Sequence, residues 1–176
     1  MTVTGMDVVY TAEQVQERVR ELAVQINAEY EDKPLVVVCV LKGAFMFFSD
    51  LLKHLTVRPE IDFVRVASYG NSTTRSRNIS FTKDLEVSID GKHVLVVEDI
   101  VDTGHTVDFL YRQLAARGAA SIRLCAIVDK AERREVDVTV DFPGFALDKG
   151  YIIGYGMDYA EQYRELDAIY DAHVAN

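Results

Sequence analysis

The sequence predicts a single α/β domain, residues 1–176, in which a mainly parallel central sheet is flanked by helices. Short, continuously apolar runs, typical of strands buried on both faces, alternate with segments whose apolar residues recur at helical spacing. This alternation is the usual order of a parallel sheet with crossover helices. The composition, 49% hydrophobic and 27% charged with only 3 prolines, is that of a globular chain. A chain of this length is expected to form one domain whose core needs no disulfide.

The first half of the chain carries clear helix and strand signals. Thr11 followed by Gln14 is a capping-box pattern, and apolar residues recur at helical spacing after it. The run LVVVCVL after the polar break EDKP is too short for a helix and indicates a buried strand. The elements predicted here are a helix over about 12–30, a strand over Leu35–Leu41, a helix over Ala44–Leu55 and a strand over Ile61–Ser68.

The second half continues the alternation after a long interruption. The stretch from Tyr69 to Lys92 is polar and rich in Ser, Thr and Arg, and a long loop in a compact domain is more often functional than idle. We therefore interpret residues 68–81 as a flexible lid. The elements predicted beyond it are strands over His93–Glu98, Ser121–Val128 and Tyr151–Gly156, a helix over Thr106–Gly118 and a helical tail around 160–173.

Charge and patterning disfavour several classes of function. The chain has 19 Lys and Arg against 28 Asp and Glu, a net charge of −9, which disfavours nucleic-acid binding because that needs a cationic face. The segment MTVTGMDVVY lacks the regions of a signal peptide, and no apolar run approaches membrane-spanning length. Cys39 and Cys125 lie inside apolar runs, as expected of buried thiols in a cytoplasmic protein.

The residues after the predicted strand at His93 form the strongest candidate site. In open α/β sheets, ligands bind outside the carboxyl ends of the strands. Residues 103–106 (Thr, Gly, His, Thr) would present backbone N–H groups at a helix N-terminus, which suits a phosphate. Glu98 and Asp99 would repel a bare phosphate, but they can accept hydrogen bonds from sugar hydroxyls or hold Mg²⁺ through water. The turn therefore predicts a sugar-phosphate site.

Other interpretations of the same turn fit less well. A P-loop needs a lysine after its last glycine, and none follows Gly104. The triplet Asp102-Thr103-Gly104 occurs in aspartic proteases, but that chemistry needs paired acids in an all-β frame. In a response-regulator receiver the acidic pair would follow the first strand. A solvated acidic loop that caps a helix remains the simplest alternative for the turn taken alone.

The turn does not stand alone, because VLVVEDIVDTGHT resembles the phosphoribosyl-pyrophosphate motif of type I phosphoribosyltransferases: four apolar residues, two acids and a D-T-G-x-T loop. Further matches fall in the order seen in hypoxanthine-guanine phosphoribosyltransferases, from about Tyr10 to Leu166. The resemblance implies the type I fold, with a core at about 30–135 and a small hood formed by the terminal segments, about 1–15 and 136–176. The further matches are Leu41-Lys42-Gly43, Ser68-Tyr69-Gly70, Lys130, Tyr151-Ile152 and DYAEQYREL, which contains Asp158 and Arg164.

The resemblance assigns the sugar-phosphate roles residue by residue. Asp102 would be the base that accepts or shares the proton on purine N7, although it could also cap the following helix. Thr103, Gly104, His105 and Thr106 would bind the 5′-phosphate, with only a backbone contact from His105. Glu98 and Asp99 would engage the ribose diol and Mg²⁺.

The purine and pyrophosphate roles are implied in the same way. Lys130 would donate to the 6-oxo group and so select oxopurines over adenine. Tyr151 would stack on the purine or lie in the core, and Ile152 would meet the base edge through its backbone. Asp158, also beside the base, would hold a second Mg²⁺. Lys42, Gly43 and Arg164 would bind pyrophosphate, Ser68 and Tyr69 would open the lid, and Ala44 departs from the second glycine of many relatives.

The implied activity is Mg²⁺-dependent transfer of 5-phosphoribosyl from phosphoribosyl pyrophosphate to N9 of hypoxanthine or guanine in cytoplasmic purine salvage. A homodimer or homotetramer is expected, without nucleic-acid or membrane partners. One alternative is a transferase for another base, such as xanthine or a pyrimidine. Another is a non-catalytic regulator that binds nucleic acid, which the net charge and the combination of Lys42, Asp102, Lys130 and Arg164 disfavour.

Overall fold

The computed structural model of the chain describes residues 2–69 and 78–175. Within this part, two sheets and three helices form the fold. In chain order the elements are β1 (Thr2–Tyr10), α1 (Ala12–Glu29), β2 (Leu35–Leu41), α2 (Phe45–His54), β3 (Glu60–Tyr69), β4 (Asn78–Lys83), β5 (His93–Val101), α3 (His105–Ala115), β6 (Ser121–Lys130), β7 (Phe142–Leu147), β8 (Ile152–Ile153) and β9 (Ile169–Ala175).

The main sheet has six strands in the order β4-β3-β2-β5-β6-β7. Every neighbouring pair is parallel except β3 with β4, which is antiparallel. The mainly parallel sheet predicted from the apolar runs is therefore confirmed. Because parallel strands bring their carboxyl ends to one edge, the turns after β2, β5 and β6 lie along the same side of the sheet.

The helices cover both faces of this sheet, as alternation along β2 makes clear. Val37 and Cys39 pack in one buried cluster with the apolar sides of α1 and α2, whereas Val36 and Val38 pack in a second cluster with α3. The predicted capping box is present at the start of α1, where Thr11 and Gln14 exchange hydrogen bonds between side chain and backbone. Cys39 and Cys125 are buried free thiols, as predicted. No helix in residues 2–69 and 78–175 is long and apolar enough to span a membrane.

A second, antiparallel sheet joins the two ends of the chain in the order β1-β9-β8. Thr2 pairs with Ala175, and Ile152 pairs with Asp171. This small sheet lies close to the turns of the main sheet, because Gly156, just beyond β8, is so near the Gly43 carbonyl oxygen that a Cβ at Gly156 would lie 2.0 Å from it. The terminal segments are thereby held beside the carboxyl edge of the main sheet.

The predicted helical tail around 160–173 is wrong. Residues 160–168 form turns, and Ala160, Glu161 and Tyr163 have positive φ angles of 50°, 66° and 73°, which a right-handed helix cannot contain. Residues 169–175 form β9 because Ile169 and Ala172 are buried in the small sheet. Of the strand predicted over Tyr151–Gly156, only Ile152–Ile153 is formed.

Besides β9, three further strands lie where none was predicted. β1 and β4 have alternating or polar sequences without a strong apolar run, and β4 falls inside the stretch interpreted as a loop. β7 lies within the range predicted for the hood, but it is the edge strand of the main sheet, so the core extends to residue 147. The predicted lid falls largely on residues 70–77, outside the described residues. The backbone of Ser68 and Tyr69 belongs to β3, but their side chains are not among the described parts of the structure.

Candidate active site

The turn between β5 and α3 has a backbone shaped by Gly104. This residue is the N-cap of α3 and has φ of 89°, in the left-handed region that favours glycine. A Cβ here would also come within 2.8 Å of the Val136 carbonyl oxygen. Thr103 and Thr106 line a cavity of about 100 Å³ beside the helix N-terminus, where backbone N–H groups have no partner within the helix. The arrangement can bind a small anion.

Glu98 and Asp99 are adjacent acids at the end of a buried strand. Burial, together with the neighbouring Asp99 carboxylate, raises the pKa of Glu98 well above its ordinary value, and burial also raises the pKa of Asp99. Glu98 Oε2 has no hydrogen-bond partner among the described residues. Asp99 lies against Gly43, since a Cβ at that glycine would be 1.6 Å from Asp99 Oδ2. Only glycine at position 43 permits this close approach.

Asp102 is held by two consecutive arginines that the sequence interpretation did not single out. The Arg133 guanidinium lies 3.3 Å from Asp102 Oδ2, while Oδ1 is buried with no hydrogen-bond partner among the described residues. Arg134 donates to the backbone carbonyls of Asp102 and Val101, at 2.9 and 3.2 Å, and pairs with the Asp129 carboxylate. Arg134 thus ties the turn to the end of β6. Asp102 does not cap α3, because that position belongs to Gly104, which makes no side-chain cap bond.

A cavity of about 260 Å³ opens beside Asp102. Lys130 lines it and is 7% exposed, with Nζ donating to the Gly150 carbonyl at 2.8 Å. Tyr151 is 47% exposed, so it does not belong to the core, and its ring contacts Tyr159 edge-on at 5.2 Å. The cavity combines an ammonium donor, a carboxylate acceptor and an exposed aromatic face, which together suit a flat heteroaromatic ligand. Its lining residues are Asp99, Ile100, Asp102, Lys130, Arg133, Gly150, Tyr151, Ile152, Met157 and Asp158.

Two cations, Lys42 and Arg164, share one acidic partner, Glu161. Lys42 Nζ is 2.8 Å from Glu161 Oε2, and Arg164 Nη2 is 3.3 Å from the same oxygen. Arg164 also pairs with Asp158 at 2.7 Å and donates to the Gly156 carbonyl at 2.8 Å. Its Nε is buried without a partner among the described residues. These cations suit an anionic ligand, although Glu161 now contacts both.

The predicted site residues lie at or just after the ends of β2, β5 and β6, in the turn before α3, and in and around β8, and the structure brings them into one region. The side chains of Ser68 and Tyr69 fall outside the described residues. Asp99 connects the larger cavity, which it lines, with the turn after β2, where it lies against Gly43. The His105 side chain is paired with Glu135 at 2.7 Å. Within the described residues, no group of three His, Cys, Asp or Glu side chains could hold a metal ion.

Arg133, Arg134 and Glu161 are the site residues that the sequence interpretation missed. The two arginines follow Lys130 within four positions at the carboxyl end of a predicted strand, so their location could have singled them out. Glu161 offered no such signal, because its contact with Lys42 spans 119 positions of the chain.

Comparison with known proteins agrees with this arrangement. The profile of the phosphoribosyl transferase domain family matches residues 6–160. The chain is 41% identical over 162 residues to the hypoxanthine-guanine phosphoribosyltransferase of Bacillus subtilis, covering 92% of this chain and 90% of that protein. It is 44% identical over 163 residues to the hypoxanthine-guanine-xanthine phosphoribosyltransferase of Tritrichomonas foetus, covering 92% and 88%. A crystal structure of a hypoxanthine-guanine phosphoribosyltransferase from Bacillus anthracis matches with a TM-score of 0.90 at 40% identity, covering 98% of this chain and 100% of that one.

Proposed function

The chain belongs to the phosphoribosyltransferase family, and from this premise we infer that it transfers 5-phosphoribosyl from phosphoribosyl pyrophosphate to N9 of hypoxanthine or guanine. The products are IMP or GMP and pyrophosphate, and the reaction serves purine salvage. One observation carries the choice of substrate: Asp102 and Lys130 line the same cavity, next to the turn that suits a phosphate.

The cavity supports an oxopurine because of the two groups that face it. The Lys130 ammonium has three N–H donors. One of them binds the Gly150 carbonyl, which leaves the others for the 6-oxo oxygen. An exocyclic amine at C6, as in adenine, could not accept from an ammonium. The exposed Tyr151 ring is available to stack on the purine face, and the Ile152 backbone would meet the base edge.

Asp102 is the proposed general base. Its Oδ1, which has no hydrogen-bond partner among the described residues, would accept the proton from N7 as the N9 lone pair attacks C1′. The N9–C1′ bond forms while the bond from C1′ to pyrophosphate breaks, and the electron pair leaves with the pyrophosphate oxygen. Arg133 on Oδ2 and Arg134 on the backbone keep this carboxylate in place.

The remaining groups would bind the activated sugar. Residues 103–106 would hold the 5′-phosphate at the N-terminus of α3, and Glu98 would accept from the ribose hydroxyls through its free Oε2. Lys42 and Arg164 would stabilise the negative charge that develops on pyrophosphate as an oxocarbenium-like transition state forms. Gly43 allows the backbone of the pyrophosphate loop to approach Asp99.

The acidic pair fits Mg²⁺. Glu98 and Asp99 are buried acids with raised pKa values, and a divalent cation would remove their mutual repulsion. Mg²⁺ commonly uses one or two carboxylates together with substrate oxygens and water, which agrees with a pair rather than a cage. Asp158 would first have to exchange its Arg164 partner to hold a second ion. When bound, Mg²⁺ neutralises charge on the diphosphate and makes it a better leaving group.

The experiment that tests this function offers one base at a time. Purified protein with Mg²⁺ and phosphoribosyl pyrophosphate receives hypoxanthine, guanine, xanthine, adenine or uracil, and pyrophosphate release is followed. We expect turnover with hypoxanthine or guanine and none with adenine or uracil. Turnover of xanthine would extend the substrate range, in line with the named activity of the Tritrichomonas foetus relative. Absence of turnover with every oxopurine would contradict the proposal.

We also propose a homodimer or homotetramer in the cytoplasm. The buried free thiols suit a reducing compartment. α2 offers little apolar surface for an interface, because Phe47, Phe48 and Leu51 are buried, whereas Phe45 is 43% exposed and Met46 is partly buried. Light scattering of the purified protein measures the number of subunits.

A further inference from the structure

Glu161 occupies the space between the two cations assigned to pyrophosphate. Its Oε2 lies 2.8 Å from Lys42 Nζ and 3.3 Å from Arg164 Nη2, so one carboxylate oxygen contacts both groups. No other acid contacts Lys42 among the described residues, and Arg164 has a second acidic partner in Asp158. A carboxylate oxygen and a phosphate oxygen accept the same charge-assisted hydrogen bonds from ammonium and guanidinium groups.

We propose that Glu161 is an internal anion that fills the pyrophosphate subsite of the free protein and must leave when pyrophosphate binds. This inference rests on the proposed function, because it takes Lys42 and Arg164 as pyrophosphate ligands. It assigns Glu161 a role in setting the affinity for pyrophosphate and the ease of its release. Without such an anion, two cations directed at one point would repel each other in the free protein.

The side chain of Glu161 is suited to exchange. It is 64% exposed, and Lys42 is 46% exposed, so the bond between them lies in contact with water, where ion pairs are weak. Arg164 is 19% exposed, but its bond to Glu161 is longer, at 3.3 Å. A pyrophosphate group carries several charges and can satisfy both cations at once, which a single carboxylate does less well. The incoming ligand therefore displaces the acid.

The backbone around Glu161, in contrast, is fixed. Its N–H donates to Asp158 Oδ2 at 2.8 Å. Its own φ is 66°, and the nearby residues Ala160 and Tyr163 also have positive φ angles. The side chain can therefore rotate away while the segment that carries Asp158 and Arg164 keeps its shape. The displacement would need no unfolding of this segment.

The inference predicts that Glu161→Gln binds pyrophosphate about three- to tenfold more tightly than the wild type, since two weak ion pairs no longer compete with the ligand. Isothermal titration of pyrophosphate with Mg²⁺ into the free protein measures this affinity. Glu165→Gln is the matched control. Glu165 is exposed, follows Arg164 directly and makes no side-chain hydrogen bond or ion pair in the described part of the chain. Its substitution therefore removes the same charge without breaking a contact to Lys42 or Arg164.

Unchanged or weaker binding by Glu161→Gln would overturn the inference, and so would equal tightening by Glu165→Gln. A double variant adds a second test. In a Lys42→Met background the gain in pyrophosphate affinity from Glu161→Gln should become smaller, and a gain of full size would also overturn the inference.

The proposed function is judged separately by hypoxanthine turnover of the wild type. Turnover with unaltered pyrophosphate affinity in Glu161→Gln contradicts this inference alone, whereas no turnover with any base contradicts the function.

Discussion

The two halves of the site hold their cations in opposite ways. In the half proposed to bind the base, formed by Asp102, Lys130 and Tyr151 and called the base half, Lys130 is 7% exposed and donates a hydrogen bond to a backbone carbonyl. In the half proposed to bind pyrophosphate, formed by Lys42, Arg164 and Glu161 and called the pyrophosphate half, the Lys42 side chain is 46% exposed and its partner is an exposed carboxylate. A backbone carbonyl is neutral and fixed, whereas a carboxylate is charged and replaceable.

The difference follows from the ligands that each half would bind. A neutral, flat base offers few strong interactions, so its affinity depends on donors and acceptors that are already in position. Pyrophosphate offers several charges, and the cations that receive it would repel one another if nothing neutralised them beforehand. On the proposed roles, the base half would therefore be built in advance, whereas the pyrophosphate half would exchange one anion for another.

The largest effect is expected from Asp102→Asn, which removes the proposed base while keeping its shape. We expect kcat to fall by about 10²- to 10⁴-fold, the usual range for loss of a general base, with phosphoribosyl-pyrophosphate binding little changed. Single-turnover kinetics and an equilibrium titration separate the two quantities. A variant that turns over at the wild-type rate would remove Asp102 from this role.

The next largest effect is expected from removing the hydrogen-bond donor of the base half, Lys130. Lys130→Ala should weaken hypoxanthine binding by about 10- to 100-fold, because a hydrogen bond from a charged donor is lost. The KM for phosphoribosyl pyrophosphate should stay near the wild-type value. Lys92→Ala is the control, since that lysine pairs with Glu60 at the opposite end of β5 and should alter neither constant. Normal hypoxanthine affinity in Lys130→Ala would contradict the assignment of specificity.

A smaller effect in the other half is expected from Arg164→Met. Loss of one of two cations should weaken pyrophosphate binding by about tenfold, since the second cation and Mg²⁺ remain. Binding of hypoxanthine should be unchanged if the halves are independent. Arg112→Met, which removes an arginine 71% exposed on α3, gives the baseline. Equal losses for both ligands would show that the halves are not separate.

The smallest kinetic effect is expected outside both halves, at Asp62. Burial by itself would raise the pKa of this carboxyl, but hydrogen bonds from the N–H groups of Val87, Phe63 and Glu86 together hold the pKa below its ordinary value. Asp62→Asn should lower the free energy of unfolding by about 1–3 kcal/mol and leave both KM values unchanged.

The pH dependence of the Asp62 effect has a definite sign. Because the pKa is depressed in the folded protein, the stabilisation is present above the unfolded value, about 3.9, and is lost as pH falls through the folded value. Urea unfolding at a series of pH values should therefore show the gap between wild type and Asp62→Asn closing in acid. A gap that widened in acid would contradict this account.

Local sequence was sufficient where a segment's own residues determine its structure. The strands β2, β5 and β6 were predictable because each is buried on both faces and so is continuously apolar, and α1 because its capping box adjoins a periodic apolar face. The turn at 98–106 could be interpreted because a helix N-terminus and adjacent acids each carry their chemistry locally.

Long-range pairing could not be predicted in the same way. β1 and β9 are strands because they pair with each other across nearly the whole chain, as Thr2 does with Ala175. The segment around 160–168 has helical-looking composition, but positive φ angles at Glu161 and its neighbours prevent a helix. Glu161 itself became a site residue only through its distant contact with Lys42.

A crystal structure of the wild-type protein with pyrophosphate and Mg²⁺ tests the contrast between the halves most directly. It should show the Glu161 carboxylate out of contact with both Lys42 and Arg164, which now bind pyrophosphate, while Lys130 Nζ keeps its hydrogen bond to the Gly150 carbonyl, 2.8 Å in the free protein. Pyrophosphate bound with Glu161 still bridging the two cations would contradict the account, as would a displaced Lys130.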